Sequence, residues 1–119
     1  MFEDEINMLS PYEAYIIIGT RLKDTYASAF YAYENAKMEI EHKNTKFPDC
    51  YLKRTSTYIK SLETDYEVMK ILKSDLDEKS LTECQQEQFH AYDDLFQKVE
   101  KLLKNLDIFL SQYNVDLTI

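Results

Sequence analysis

The last third of this 119-residue chain carries apolar residues spaced alternately four and three residues apart, without a break. This spacing places them on one stripe of a long amphipathic helix that packs lengthwise on other helices, as in a coiled coil. Only one glycine and two prolines interrupt the chain. The stripe therefore predicts an all-α fold. It consists of Tyr92, Phe96, Val99, Leu103, Leu106, Leu110 and Tyr113.

The first helix is predicted to begin at Ser10, which can cap it, followed by Pro11 at the first helical position and Glu13 to complete a capping box. Apolar residues then recur every seven positions, through Gly19 and as far as Ile40. This pattern predicts one long helix with an apolar arc facing the core. The predicted core-facing residues are Tyr12, Tyr15, Ile16, Leu22, Tyr26, Phe30 and Tyr33.

Two breaks divide the rest of the chain. The first precedes Pro48, and residues 80–83 provide a second capping box with Ser80 as the cap. Short connections make neighbouring helices antiparallel. We expect a single domain, 1–119: an up-down-up bundle of three long helices at about 10–43, 48–77 and 80–114. Residues 1–9 are expected to be a flexible or docking N-terminal tail, and residues 115–119 a C-terminal tail. The alternative is a four-helix bundle with the first helix broken at Gly19. It is less favoured because the seven-residue pattern passes through Gly19 unchanged.

The composition excludes several functions. The net charge is −8 and the pI is near 4.7, which argues against direct nucleic-acid binding and suits a neutral or basic partner. The longest apolar run, residues 14–18, is far below the roughly 20 residues of a membrane span. With no signal peptide visible, we expect a cytoplasmic location, in a cell or in the host cell of a virus. Cys50 and Cys84 form no metal motif and are expected to be reduced, partly buried thiols.

Both histidines end a Glu-x-x-His motif, Glu39 with His42 and Glu87 with His90. Two such motifs are part of the ligand set of ferritin-like di-metal enzymes. The predicted helices, however, place His42 and His90 near opposite ends of the bundle, roughly 30 Å apart along its axis. A surface ion held by residues 83, 87, 90 and 94 is the remaining metal hypothesis, and a solvated acidic stripe explains the same pattern. No phosphate loop or catalytic triad is visible, so we predict no enzyme activity, cofactor or metal.

The predicted topology gathers the charge at one end. Residues 1–25 and 66–94 carry thirteen acidic and five basic residues, whereas the remainder has nine of each. Helix-dipole matching explains some of the acids, but not those at the end of the second helix. We interpret this acidic pole as a candidate docking surface for a basic partner. Its residues are Glu3, Asp4, Glu5, Asp75, Asp77, Glu78, Glu83, Glu87 and Asp94.

A second candidate surface is the outer side of the first helix. Ile17 and Tyr31 point away from the predicted core, and Met38 extends the same strip. Scattered surface apolar residues are common, but tyrosine is enriched at interfaces. The strip is therefore a candidate for self-association into a homodimer.

The sequence thus predicts a non-enzymatic, acidic helical protein that acts by binding another protein. Inhibitors, immunity-type proteins, adaptors and chaperones share these properties, and an inhibitor of a nucleic-acid-binding protein is the sharpest version. A structural subunit that self-associates through the first helix and a carboxylate–histidine metal enzyme are the alternatives.

Overall fold

The computed structural model describes residues 10–113, which fold into three α-helices without a β-strand. The all-α three-helix bundle predicted from the sequence is therefore confirmed, while the predicted tails lie outside the described residues. Within residues 10–113, no helix combines the length and hydropathy needed to cross a membrane. The elements are α1 (Pro11–Lys37) with a π-helical turn (Met38–His42), α2 (Pro48–Asp75), a 3-10 turn (Glu78–Ser80) and α3 (Glu83–Ser111).

Ser10 caps α1 as predicted, but within residues 10–113 Glu13 forms no reciprocal bond to complete the capping box, and the cap of α3 differs from the prediction. Ser10 accepts a hydrogen bond from the backbone N–H of Glu13, at 3.1 Å. At α3 the predicted cap Ser80 is wrong, because its hydroxyl donates instead to the backbone carbonyl of Asp77, just before the 3-10 turn. Thr82 and Gln85 form the reciprocal capping box, with hydrogen bonds of 2.9 and 3.2 Å. Helix α3 therefore begins at Glu83 rather than near residue 80.

Contacts between α1 and α2 show that these helices are antiparallel. Arg21 near the start of α1 pairs with Asp65 in the second half of α2, whereas Thr55 near the start of α2 approaches the carbonyl of Ala32. The backbones of α1 and α2 approach more closely than those of any other helix pair in residues 10–113. Alanine on the facing side of α1 permits this approach.

Helices α1 and α3 run parallel. The rings of Tyr15 and Phe89 lie 5.1 Å apart near the two helix starts, and those of Tyr33 and Phe109 lie 5.4 Å apart near the two ends. With α2 antiparallel to α1, the order is up-down-up, as predicted.

The core side of α1 is rotated relative to the prediction. Phe30, predicted to face the core, is 45% exposed, and Tyr26 and Tyr33 are only half-buried. Small side chains face α2 because two helices can approach closely only where side chains are short, and this turns the tyrosines toward α3. The buried residues of α1 are Ala14, Tyr15, Ile18, Gly19, Leu22, Ala29, Ala32 and Ala36.

The stripe of α3 lies against the core as predicted. Its centre, including Val99 and Leu106, is fully buried. Tyr92 and Leu103 are half-buried because they stand at the border of the stripe, and Leu102 and Phe109 are buried in addition. The periodicity therefore predicted the correct buried face of α3, but the centre of that face lies about one residue position away from the predicted stripe.

Gly19 lies inside α1 without breaking it, so the alternative four-helix bundle is wrong. A β-carbon at this position would lie 2.8 Å from two ring atoms of Tyr92 and 3.1 Å from the terminal methyl of Met69. The glycine is thus explained by the close approach of the Tyr92 ring, and not by a turn.

One carboxylate is buried between α1 and α2. Asp65 is 6% exposed and accepts hydrogen bonds of 3.0 Å from both the Arg21 Nε and the Thr25 hydroxyl. Since a buried charge is stable only when it is paired, this contact sets the register of α1 on α2.

Candidate functional site

The acidic residues predicted to form one pole do lie near one end of the bundle in the described part. Asp75 ends α2, Asp77 and Glu78 lie in the connection, and Glu83 and Glu87 occupy the first two turns of α3. All five are exposed, as is Asp94 further along α3. The predicted pole residues Glu3, Asp4 and Glu5 lie outside the described residues.

Part of this acidic end is a charged network that holds α2, the 3-10 turn and α3 together. Lys73 Nζ lies 2.7 Å from Asp93 Oδ1, and Asp93 Oδ2 lies 3.1 Å from His90 Nδ1. The other ring nitrogen of His90 contacts the carboxylate of Glu78. The same Lys73 ammonium lies 4.9 Å from the ring centroid of Phe96, so the network also covers the core.

The network shifts two pKa values. Hydrogen bonds to Asp93 and then Glu78 raise the pKa of His90, because both stabilise the imidazolium form. Burial alone would raise the pKa of Asp93, but hydrogen bonds from Lys73 and His90 outweigh it and lower that pKa. His90 therefore has a role in the fold that its Glu-x-x-His motif did not indicate.

Other pole residues also have local partners. The carboxylate of Asp77 accepts the backbone N–H of Lys79 at 3.1 Å, and Asp94 pairs with Lys98 at 3.2 Å. Asp75, Glu83 and Glu87, by contrast, form no ion pair within residues 10–113. Among the pole residues within 10–113, the exposed ones with neither an ion pair nor a side-chain hydrogen bond are therefore Asp75, Glu83 and Glu87.

The strip predicted for self-association is exposed but not continuous. Ile17, Tyr31 and Met38 are 46%, 64% and 48% exposed. Asp24 occupies the position between the first two on the same line of the helix, and the Arg54 guanidinium lies 6.0 Å from the Tyr31 ring centroid. Self-association through this strip stays a prediction.

Cys50 and Cys84 are free thiols, as predicted, but their predicted partial burial is wrong, since both are exposed. The reason is that each lies in the first turn of its helix on the side turned to solvent. Within residues 10–113, no three side chains of His, Cys, Asp or Glu are grouped as they would be around a metal ion. Glu87 does not contact His90, whose ring nitrogens face Asp93 and Glu78 instead.

A cavity with a volume of about 520 Å³ lies between α1 and α3. A second cavity of about 330 Å³ shares Tyr26 and Lys98 with it. Together they form one groove along the two parallel helices, which we call the α1–α3 groove. It is lined by Ile16, Lys23, Tyr26, Ala27, Phe30, Tyr33, Glu34 and Lys37 of α1, and by Gln88, Ala91, Tyr92, Asp94, Leu95, Lys98, Lys101, Leu102 and Asn105 of α3.

The floor of the groove is aromatic and only partly covered. The Tyr26 and Phe30 rings stack with their centroids 6.1 Å apart, and Phe30 is 45% exposed. The Lys37 ammonium lies 5.1 Å from the centroid of Tyr33. Side chains of this kind provide apolar area with little rotamer freedom to lose, which favours binding of another chain.

The groove is positively charged in a negatively charged chain. Four lysines and two carboxylates line it, whereas the whole chain has a net charge of −8. Lys23, Lys37 and Lys101 have no acidic side chain within 4 Å among residues 10–113, and Lys98 pairs only with Asp94. Sequence reasoning missed this surface because it assigned Tyr26, Phe30 and Tyr33 to the core. A signal was present: Ile16, Lys23, Phe30 and Lys37 alternate at intervals of seven residues.

No protein-family model, curated protein or solved structure matches this chain.

Proposed function

We propose that this chain is a non-enzymatic protein-binding module and that the α1–α3 groove receives an apolar segment of its partner. The observation that carries the proposal is the open aromatic floor, in which Phe30 is 45% exposed and lines the cavity of about 330 Å³ that continues into the one of about 520 Å³. An exposed apolar surface with polar residues at its rim is typical of protein interaction sites.

The proposal can be tested with a photo-cross-linking amino acid at groove and control positions. Ala27 and Ala91 are exposed and line the groove, so a photoreactive side chain there can reach a bound partner. Lys53 and Ser61 are exposed on α2 and serve as controls. Irradiation in extract of the native host should give the same cross-linked protein from both groove positions and not from α2. Equal cross-linking from α2 would contradict the proposal.

Two matched variants supply a second readout. Phe30→Glu adds a charge to the groove floor, and Ile71→Glu adds the same charge at a site on α2 that is 60% exposed. Since burying a phenylalanine contributes about 2 kcal/mol, Phe30→Glu should weaken capture of the cross-linked partner by tenfold or more. Ile71→Glu should leave capture unchanged. If both variants weaken it equally, the groove is not the binding surface.

The acidic end supports a second candidate surface, for a basic partner. Asp75, Glu83 and Glu87 are the residues to neutralise, because they are exposed and have no ion-pair partner in the described residues. Asp77 and Glu78 are unsuitable, since changing them would disturb the cap and the His90 network. The triple change to Asn, Gln and Gln should lower the affinity and salt sensitivity of a basic partner. The same change in charge at Glu41, Glu63 and Asp107 provides the control.

A further inference from the structure

We infer that the segment received by the α1–α3 groove is an acidic amphipathic α-helix, which completes a four-helix bundle. This inference rests on the proposed function and names the class of partner segment. The groove runs between two parallel helices, and its lining residues on α1 extend from Ile16 to Lys37, about 30 Å at 1.5 Å per residue. A helix of about 20 residues has that length.

The spacing of the lining residues matches a packed helix. On α1, apolar and basic side chains alternate at seven-residue intervals from Ile16 through Lys23 and Phe30 to Lys37. On α3, Leu95, Lys98 and Leu102 follow each other at intervals of three and four. Along each wall, a helix laid in the groove would meet apolar side chains that alternate with lysines, whose long side chains can carry their ammonium groups to the solvent edges of the groove. That pattern is complementary to an apolar stripe flanked by carboxylates.

The charge of the groove selects the sign of the partner. Three of its four lysines have no acidic side chain within 4 Å among residues 10–113. A helix flanked by lysines would place like charges against them, which opposes binding even where the apolar fit is good. The net charge of −8 predicts the opposite preference for the molecule as a whole. An experiment can therefore distinguish control of binding by the local charge of the groove from control by the net charge of the chain.

The test uses the full-length chain and two synthetic helical peptides of about 20 residues. Both carry the same leucine stripe at i, i+3 or i+4, and i+7; one has Glu and the other Lys along both flanks. Binding is measured by fluorescence anisotropy, and the site by amide chemical-shift changes of labelled protein. We expect the Glu peptide to bind the groove about tenfold tighter than the Lys peptide, with shifts in residues 23–37 and 91–105.

Charge-reversed variants give the control. Lys98→Glu with Lys101→Glu should remove the preference for the Glu peptide. Lys53→Glu with Lys60→Glu, on α2, causes the same change in net charge and should leave the preference within about twofold. Circular dichroism of each variant checks that the helices are retained. A preference lost equally in both variants would show that net charge alone controls binding and would overturn the inference.

Other occupants of the α1–α3 groove would give different results in these experiments. Tighter binding of the Lys peptide in the groove, or equal binding of both peptides there, overturns the acidic partner but leaves the proposed function intact. Absence of peptide shifts in the groove, together with cross-links that favour α2, overturns both. If removal of residues 1–9 shifts the groove amides without any peptide, the occupant is the chain's own N-terminal segment and the inference is wrong.

Discussion

Replacing Gly19 by alanine tests whether the ring of Tyr92 determines the choice of residue at this position. In a helix interior, alanine is more favourable than glycine by about 1 kcal/mol, so helix propensity alone predicts stabilisation. The new β-carbon, however, would lie 2.8 Å from two ring atoms of Tyr92. That is roughly 0.7 to 1.2 Å inside the optimal carbon–carbon separation.

The two effects can be compared directly. Overpacking a filled site costs about 1 to 3 kcal/mol, and with a central value near 2 the net result is destabilisation by about 1 kcal/mol. In a Tyr92→Ala background the ring is absent and only the flexible end of Met69, 3.1 Å away, must move. There, Gly19→Ala should stabilise the protein by about 1 kcal/mol. The expected coupling between the two positions is therefore about 2 kcal/mol.

The assay is urea unfolding of the four proteins of this double-mutant cycle, followed by far-ultraviolet circular dichroism. Tyr92→Ala also removes the edge-on contact of its ring with Tyr15, at a centroid distance of 5.6 Å. The cycle subtracts that loss because it is common to both pairs. Ser28→Ala, at an exposed position of α1, reports helix propensity alone. Stabilisation by Gly19→Ala in the wild-type background, or a coupling below about 0.5 kcal/mol, would refute the reasoning.

Three further predictions concern buried and charged groups. Tyr15 is fully buried and its hydroxyl has no hydrogen-bond partner within residues 10–113. Tyr15→Phe should therefore be neutral or stabilise the protein by about 1 kcal/mol in thermal unfolding. Tyr66→Phe, by contrast, loses a hydrogen bond to Glu100 and should destabilise it by about 1 kcal/mol. Asp65→Asn should lower the free energy of unfolding by about 1 to 3 kcal/mol, with Glu63→Gln as the exposed control, and a loss no larger than that of the control would contradict the register role. Because the folded pKa of His90 is raised above 6.5, its contribution is complete below that pH and is lost as the pH rises through the folded value. The urea midpoint should therefore fall as the pH is raised above 6.5 in the wild type and should fall less in His90→Gln, and identical pH profiles would contradict this assignment.

The fold could be predicted because periodicity and helix-start chemistry are local properties of the sequence. Ser10 and Pro11 gave the start of α1, and the stripe through Val99 and Leu106 gave the buried face of α3. The start of α3 was mispredicted because Ser80 and Thr82 both suit a cap, and only the 3-10 turn decides between them. A local sequence pattern therefore predicts a helix start correctly where a single residue is suited to cap it.

The sites were less predictable because they depend on pairs of helices. The Glu-x-x-His motif places Glu87 one turn before His90 on the same helix, whereas Glu78 from the connection and Asp93 make the contacts. The burial of Asp65 depends on Arg21 and Thr25, which lie on another helix more than 35 residues away in the sequence. Such pairs follow from register, which a single sequence does not contain.

The rotation of α1 explains both the error in the core and the existence of the groove. Ranking residues by apolar size places Tyr26, Phe30 and Tyr33 in the core, but close packing on α2 requires the smaller Ala29 and Ala32 there. The larger rings then lie on the side facing α3, where they line the groove between the two parallel helices. A three-helix bundle has no fourth helix to cover that side. The alanines that tighten one interface thus create the exposed aromatic surface at the other, so widening the α1–α2 contact should also change binding in the groove.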